Sequence, residues 1–294
     1  MEFDVAPKIA VLLASYNGAP VIERQLQSIL NQEKVEVTVF ISDDISSDST
    51  LEVVGRIGRN NSNVVVTDNS TRFGFAAANF FSLVRRVDVS GFDYVAFSDQ
   101  DDIWFPDKLI SAVTEMNLHQ CVGFSSDVIA MWEGQERSKL VKKSYPQTQS
   151  DFLFESPGPG CSQVFKVQAF GQFQEFVIRE AKELQKIDYH DWIVYVFFRL
   201  NHLPWLISDV PKMYYMQHSN NVIGVNSGFR SILKRLMMIR SKWYRSQIEL
   251  MYRLVSGKSD RLLSWRFIQR NYLSLRRKRS DSIILFVLFL FRIV

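Results

Sequence analysis

The chain has 294 residues, of which 47% are apolar and 13% aromatic, and this composition excludes a disordered tail because it allows a large core to be buried. Its two cysteines, Cys121 and Cys161, exclude a framework of several disulfide bonds. The N-terminal residues also lack the basic and then apolar pattern of a signal peptide, so we expect a cytoplasmic protein.

The net charge of +4 arises from the C-terminal region. Residues 1–228 contain 19 Lys and Arg against 28 Asp and Glu, whereas residues 229–279 contain 15 against 2. A basic block of this kind indicates an anionic partner such as a membrane surface or a nucleic acid. A solvated helix face is the alternative interpretation of the same charges.

Strand and helix patterns alternate along the first part of the chain. Strands are predicted over residues 8–15, 35–44, 63–69 and 92–102, and helices over residues 19–32, 46–60 and 74–87. This alternation predicts an α/β fold with a mostly parallel sheet and helices on both of its faces. Because ligands collect beyond the carboxyl ends of parallel strands, the polar segments 14–18, 42–50 and 98–102 are expected to meet in one cleft.

The last of these segments, "SDQDD", places three carboxylates almost next to one another at Asp99, Asp101 and Asp102. Carboxylates this close raise one another's pKa unless something positive lies among them. At a shared strand edge they are the usual means of holding a hard divalent cation, which in turn holds phosphate oxygens. A purely structural role for Asp101 or Asp102, capping a following turn or helix, is the alternative for either residue alone.

Three segments together resemble the successive signatures of the family 2 inverting glycosyltransferases, and the resemblance extends over about residues 8–225. The matching segments are residues 11–32, 39–50 and 95–109. The resemblance implies a GT-A fold and a Mg²⁺- or Mn²⁺-dependent enzyme. Such an enzyme moves a sugar from a nucleotide-diphosphate donor to a hydroxyl of a lipid-linked or polysaccharide acceptor in cell-surface glycan synthesis.

The resemblance also assigns nucleotide-binding roles to individual residues. Ser15 and Tyr16 match the loop that lies against the nucleotide. Asp44, with Asp43 beside it, matches the acid that reads the edge of a pyrimidine base. Arg72 follows the third strand and is placed to reach a phosphate or the base, and an ordinary surface residue is the alternative.

The same matching implies how the acidic segment and a later histidine contact the donor. Asp101 would be the direct metal ligand, Asp99 would contact the ribose or the hydration shell of the metal, and Asp102 is placed to share this role. His218, in "YYMQHSNNVIG", would donate a hydrogen bond to the diphosphate. A loop histidine without a function is the alternative for His218.

An inverting transferase needs a general base, because the acceptor hydroxyl loses its proton as it attacks the anomeric carbon. Asp188, His190 and Asp191 precede a strongly apolar helical segment, where the family places an acidic residue. Asp191 is the predicted base and Asp188 the fallback, although a carboxylate at a helix start is also a common N-cap. The local pattern "HDW" resembles bacterial rhamnosyltransferases of polysaccharide biosynthesis and favours dTDP-L-rhamnose as donor, with a UDP-hexose as the other candidate.

The C-terminal region interleaves basic and apolar residues at helical spacing and ends in the apolar run 283–291. At 1.5 Å per residue this run reaches about 14 Å, less than the roughly 30 Å hydrocarbon core of a bilayer. We therefore predict a catalytic domain at 1–228 and a basic amphipathic helical region at 229–294. This region would associate peripherally with the inner face of the cell membrane through its basic residues, including 276–279. Packing of these helices on the catalytic domain is the alternative.

Two other functions are alternatives to sugar transfer. A sugar-phosphate nucleotidyltransferase needs a glycine-rich basic loop after the first strand, and "ASYNGAP" has one glycine and no lysine. A non-enzymatic protein that binds membrane or nucleic acid would have a degenerate acidic pocket, whereas all the expected carboxylates are present. The sequence therefore favours the glycosyltransferase, with no nucleic-acid partner.

Overall fold

The computed structural model describes residues 5–135, 137–217, 242–258 and 263–290. Its strands are β1 Lys8–Ser15, β2 Glu36–Asp43, β3 Val64–Thr67, β4 Tyr94–Ser98, β5 Ile103–Trp104, β6 Gly123–Ser126, β7 Val128–Trp132, β8 Ser138–Val141, β9 Val164–Lys166, β10 Trp205–Ser208 and β11 Met213–Gln217. Its α-helices are α1 Ile22–Leu30, α2 Thr50–Gly58, α3 Ala76–Arg86, α4 Lys108–Leu118, α5 Val167–Arg179, α6 Ala181–Leu184, α7 His190–Leu200, α8 Trp243–Ser256, α9 Trp265–Asn271 and α10 Arg279–Leu290.

The central sheet has seven strands in the order β10-β6-β9-β4-β1-β2-β3. All neighbouring pairs are parallel except those of β9, which runs antiparallel to both β4 and β6. Strand β1 lies at the centre, between β2 and β4, and every residue after Lys8 in it is buried. A strand covered on both faces needs a continuous apolar run, which is why "IAVLLA" carries no alternation. The predicted mostly parallel sheet is confirmed.

Helices cover both faces of this sheet, so two apolar cores form. Helices α3, α5 and α7 bury Phe80, Phe170 and Phe198 against one face. Helices α1 and α4 bury Leu26 and Val113 against the other. The apolar residues of each helix recur at helical spacing, which turns one stripe toward the sheet. The predicted α/β layering is therefore confirmed.

The strand predicted over residues 92–102 is shorter in the structure and ends at Ser98. The chain then turns through the acidic segment and re-enters as β5, which belongs to a second sheet of order β5-β11-β7-β8. The main-chain N–H of Met216, on β11, donates to Asp102 at 3.1 Å. Because this bond draws Asp102 toward the second sheet, the acidic segment lies at the junction of the two sheets.

The described part of the C-terminal region packs against the α3–α5–α7 core. Ile248 and Met251 of α8, Ile268 of α9 and Phe289 of α10 are buried in that same cluster. These contacts are what the packing alternative requires. The boundary after residue 228 stays a prediction, since it falls outside the described residues. Among the helices described, none combines the length and the apolar character that crossing a bilayer requires.

The basic run 276–279 does not form one lipid-facing patch, which corrects the sequence-based expectation. Arg277 is almost fully buried and ion-paired with Asp151. Arg276 donates to the main-chain carbonyl of Phe154 at 2.9 Å. Only the other two basic residues of the run are exposed. Arginine is the cation best suited to such burial, because its planar guanidinium donates several hydrogen bonds at once.

Candidate active site

The polar strand ends lie together at one edge of the central sheet. The Gln100 amide links the acidic segment to the first loop, because it accepts from the Tyr16 N–H at 2.8 Å and donates to the Tyr16 carbonyl at 3.0 Å. A Cβ added to Gly18 would lie 2.3 Å from the Gln100 Oε1, so the close approach of the two loops depends on that glycine. Sequence reasoning missed Gln100, although its place inside the acidic segment was a signal.

Asp43 and Asp44 both organise loops at the end of β2. The Asp43 carboxylate accepts from the Ser15 hydroxyl at 2.8 Å and from the Ser46 N–H at 2.7 Å. The Asp44 carboxylate accepts from the N–H groups of residues 73 and 74. Each carboxylate oxygen has two lone pairs, so these bonds leave acceptor capacity for a ligand.

Tyr16 and Arg72 form a flat surface at the rim of the cleft. The Arg72 guanidinium lies 4.3 Å from the centre of the Tyr16 ring, within cation–π distance. Both side chains are exposed. A planar cation stacked on an aromatic ring can in turn stack with another planar group, such as a nucleobase.

The acidic cluster is more deeply buried than the sequence indicates. Ligand atoms of Asp99, Asp102 and Cys161 lie within 4.8 Å of one another. Desolvation, and then the charge of Asp101, raise the pKa of Asp99 to about 7. The same two causes raise the pKa of Asp102 well above its usual value. Three carboxyl groups therefore share one site and repel one another.

These residues fit a hard divalent cation. The Asp102 Oδ2 is buried and has no hydrogen-bond partner within the described residues. A cation among the carboxylates would satisfy this oxygen and relieve the repulsion between Asp99, Asp101 and Asp102. Oxygen donors suit Mg²⁺ or Mn²⁺. The Cys161 sulfur is a soft donor, which these hard cations do not prefer, and burial raises the pKa of its thiol well above the usual value.

Lys108 lies near this cluster and interacts with the charge of Asp102. Sequence reasoning missed this residue. Its Nζ is buried, lies 3.5 Å from the centre of the Trp104 ring and finds no hydrogen-bond acceptor in the part of the chain that the structure describes. Burial lowers the pKa of Lys108 to about 7, while the charge of Asp102 opposes that shift. The signal in the sequence was a lysine six residues after the acidic triplet, at the start of a helix.

Asp191 lies in the first turn of α7, one residue inside its start, while Tyr189 occupies the N-cap position. Desolvation raises the pKa of Asp191 to about 6, and the Lys143 ammonium and the Ser156 hydroxyl oppose that shift. The negative charge of Asp191 also contributes to the raised pKa of Asp99. The predicted base and the acidic cluster therefore lie close enough to interact electrostatically.

The neighbours of Asp191 have structural contacts of their own. The fallback, Asp188, accepts a hydrogen bond from the indole N–H of Trp243 on α8. The His190 ring stacks on Phe80, with 3.8 Å between ring centres, and burial lowers its pKa to about 3. A neutral, packed imidazole orients the helix start rather than taking a proton. His218 lies outside the described residues.

Gly160 leaves room for the side chains of His190 and Asp191 at the start of α7. A Cβ there would lie 2.5 Å from the His190 Nε2 and 3.5 Å from the Asp191 Cβ. We expect Gly160→Ala to destabilise the fold by about 1–3 kcal/mol, because the histidine is held against α3 and cannot retreat. Turnover should fall about tenfold or more, because Asp191 is displaced with it. Thermal unfolding and sugar-transfer rates measure the two effects.

The matched control is Gly171→Ala in α5, where an added Cβ meets open space. Alanine is the better helix former, so this variant should gain up to about 1 kcal/mol and keep its activity. Unchanged unfolding temperature and turnover in the Gly160 variant would contradict the packing described here.

Residues 10–173 match the model of Glycosyl transferase family 2, and the chain belongs to this family of enzymes. The chain is 36% identical over 289 residues to the dTDP-rhamnosyl transferase RfbG of Shigella flexneri, which covers 96% of this chain and 100% of that protein. It is 28% identical over 180 residues to the putative teichuronic acid biosynthesis glycosyltransferase TuaG of Bacillus subtilis, across 60% of this chain and 69% of that protein. The predicted resemblance is confirmed, and the non-enzymatic alternative is not supported.

Solved glycosyltransferases share the fold. TarS of S. aureus in complex with UDP-GlcNAc aligns with a TM-score of 0.58 at 18% identity, over 94% of this chain and 75% of that chain. The mannosyltransferase PcManGT of Pyrobaculum calidifontis, in complex with GDP-Man and Mn²⁺, aligns with a TM-score of 0.53 at 15% identity. The alignment covers 97% of this chain and 78% of that chain. This likeness confirms the predicted GT-A architecture.

Proposed function

We propose that this glycosyltransferase moves a sugar, with inversion at the anomeric carbon, from a nucleotide-diphosphate donor to a hydroxyl of a lipid-linked or polysaccharide acceptor. The observation that carries the proposal is the arrangement of the cleft. A carboxylate suited to proton abstraction, Asp191, faces an acidic cluster suited to a cation, and the two interact electrostatically. Inverting transfer needs a base and a stabilised leaving group on opposite sides of the sugar.

The donor is bound at the ends of β1 and β2. The Tyr16–Arg72 surface stacks on the base, and Asp44 reads its edge. Ser15 and Asp43 hold the two loops in register through their hydrogen bond. The identity to a dTDP-rhamnosyl transferase supports dTDP-L-rhamnose as the donor, and a UDP-hexose is the second candidate.

Asp101 and Asp99 would hold Mg²⁺ or Mn²⁺, and Asp102, whose Oδ2 has no hydrogen-bond partner among the described residues, would share this role. Such a cation, when bound, neutralises charge on the departing diphosphate. The protein supplies a site in which the carboxylates are fixed before the donor arrives. The hydrogen bond from Met216 to Asp102 fixes the back of the cluster. Lys108, held against the Trp104 ring, adds positive charge near Asp102 when it is protonated.

Asp191 takes the proton from the attacking acceptor hydroxyl. A pKa of about 6 suits this task, because the carboxylate is then ionised at neutral pH yet more basic than an exposed aspartate. Since the group acts in its ionised form, turnover at saturating Mn²⁺, which keeps Asp99 ionised, should fall as the pH drops through about 6 and stay level above it. Lys143 and Ser156 lower the pKa of Asp191 and so favour its ionised form.

The proposal is tested with a panel of nucleotide sugars and a synthetic lipid-diphosphate-linked sugar as acceptor. We expect dTDP-L-rhamnose to be the best donor and turnover to depend on Mg²⁺ or Mn²⁺. Preferred use of a UDP-hexose would revise the donor alone. Absence of transfer from every donor in the panel would contradict the proposal.

The partner surface is the anionic inner face of the cell membrane. Helix α10 buries one side and exposes the apolar residues Ile283, Ile284, Val287 and Leu290, which lie along its other side. Trp265 and Leu273 are exposed nearby, and so are Arg266, Arg270, Lys278 and Arg279. Exposed apolar side chains together with exposed cations in the same region suit the interface of an anionic bilayer. This surface places the enzyme beside lipid-linked acceptors.

Replacing both Ile284 and Val287 with Asp should weaken binding to anionic lipid vesicles more than about tenfold, because two apolar side chains are lost and two negative charges are added. Co-sedimentation with vesicles rich in phosphatidylglycerol measures the effect. The control is Leu118→Asp, since Leu118 is at least as exposed and ends α4, which packs in the other core of the protein. Equal binding by the double variant and the control would overturn the membrane assignment.

A further inference from the structure

The side chain of Arg277, just before α10, is buried among residues of the predicted catalytic domain, 1–228. Its guanidinium donates to the Asp151 carboxylate at 2.9 Å and to the Ser156 carbonyl at 2.7 Å. Its Nε donates to the Lys143 carbonyl at 3.2 Å. The Glu155 carboxylate lies 3.3 Å away. The Arg277 side chain thus forms hydrogen bonds at three separate positions of the segment between β8 and β9.

The carboxylate that receives Arg277 is shared with a second arginine. Asp151 is fully buried and also accepts from Arg199 at 3.0 Å and from the Tyr195 hydroxyl at 2.8 Å. A buried charge is costly unless it is paired and hydrogen-bonded, and here each group has several partners. Removing one arginine leaves the carboxylate with the other, so the two arginines can be compared directly.

Two of the contacts made by Arg277 lead to the predicted base. They fix the main chain of Lys143 and Ser156, whose side chains favour the ionised form of the Asp191 carboxylate. The Ser156 hydroxyl also donates to the Gly158 carbonyl at 3.3 Å. This bond holds the loop in which a Cβ on Gly160 would lie 3.5 Å from the Asp191 Cβ. Arg199 makes neither contact, since its second nitrogen donates to the Thr148 carbonyl instead. The two arginines therefore share a carboxylate but differ in their link to the active site.

We propose that Arg277 is a positioning residue for sugar transfer, which acts by holding the main chain of Lys143 and Ser156 so that their side chains keep the Asp191 carboxylate in place. The inference rests on the proposed role of Asp191 as the base. It gives the C-terminal region a part in the chemistry as well as in membrane docking. The sequence alone places the catalytic domain at 1–228 and predicts only a membrane role for the region after it.

The groups around Asp191 define what the loss of Arg277 changes. Lys143 and Ser156 favour the ionised carboxylate. Asp99 faces it across the cleft, and Tyr189 lies beside it on the loop before α7. If Lys143 and Ser156 move away, the base loses its alignment and the groups that favour its charge. The nucleotide end of the cleft keeps its own hydrogen bonds.

The experiment compares Arg277→Met with Arg199→Met in the full-length enzyme. Each variant removes one arginine from Asp151, but only the first releases Lys143 and Ser156. We expect kcat to fall about 30- to 100-fold in Arg277→Met, as misplaced catalytic groups typically cost, and to stay within about threefold in Arg199→Met. The dissociation constant of dTDP should stay within about twofold of wild type in both. Thermal unfolding is measured in parallel.

The pH profile separates positioning from a general loss of stability. In Arg277→Met the acid limb of kcat, expected near pH 6 in the wild type, should move upward, whereas Arg199→Met should leave it in place. Arg277→Lys should recover part of kcat, because the cation is restored without the planar fork. If Arg277→Met does not fold, Arg277→Lys is compared with Arg199→Lys by the same criteria.

Equal losses of kcat in the two arginine variants, or a loss of dTDP affinity parallel to kcat, would overturn the inference. Failure of the proposed function gives a different result. If Asp191→Asn keeps wild-type turnover, Asp191 is not the base, whatever the arginine variants do. If Asp191→Asn is inactive and the two arginine variants behave alike, only the role of Arg277 is wrong.

Discussion

Replacing Asp191 with Asn is expected to lower kcat about 10³-fold or more while the dissociation constant of dTDP stays within about twofold of wild type. The amide is nearly isosteric but cannot accept the proton of the acceptor hydroxyl. The donor keeps its contacts because they lie at the ends of β1 and β2. Steady-state transfer to a lipid-diphosphate acceptor and calorimetric binding of dTDP measure the two quantities.

Asp188→Asn is the matched control. Asp188 lies three residues earlier, on the loop before α7, is exposed, and accepts a hydrogen bond from Trp243. Its kcat should stay within about threefold of wild type, because no reacting atom depends on it. If Asp188→Asn were as inactive as Asp191→Asn, or if dTDP affinity fell as steeply as turnover in the latter, the assignment of the base would be wrong.

Asp101→Asn is expected to lower turnover about 100-fold or more and to raise the Mn²⁺ concentration needed for half-maximal activity, because the cation loses a charged ligand. The fold should survive, and its unfolding temperature in the absence of metal should be unchanged or higher. The charge of Asp101 raises the pKa of both Asp99 and Asp102, so its removal relieves repulsion. Activity against Mn²⁺ concentration and thermal unfolding test both parts.

Asp107→Asn serves as the control for the metal site. Asp107 follows the acidic segment but forms an ion pair with Lys212 outside the cluster. Its loss should leave the Mn²⁺ dependence unchanged. Near-normal turnover of the Asp101 variant at limiting Mn²⁺ would contradict the metal site.

The sequence predicts those parts of the fold that depend on local patterns. The apolar run of β1 and the stripe of Ile22, Leu26 and Ile29 on α1 mark a buried strand and an amphipathic helix without any knowledge of partners. Strand β9 is different. It has three residues and pairs antiparallel with β4 and β6, so its place depends on contacts far along the chain. Pattern reasoning has no signal for such a short strand.

The same limit applies to the site. Asp101 and Asp102 are neighbours of identical chemistry, and only folding brings the Met216 N–H to one of them. Arg277 and Lys278 look alike in a basic run, yet Arg277 is buried because Asp151, 126 residues earlier, lies beside it. Carboxylates at strand ends could be predicted from the sequence. Which side chains surround them could not, because that depends on contacts between distant segments.

The central claim is inverting, cation-dependent transfer with Asp191 as the base. Its most direct test is the anomeric configuration of the product, determined by NMR, when the wild-type enzyme transfers sugar from dTDP-L-rhamnose to a lipid-diphosphate acceptor with Mn²⁺. We expect a product inverted relative to the donor, formed by the wild type, lost on chelation, and not formed by Asp191→Asn. A product with retained configuration, or equal turnover by Asp191→Asn, would contradict it.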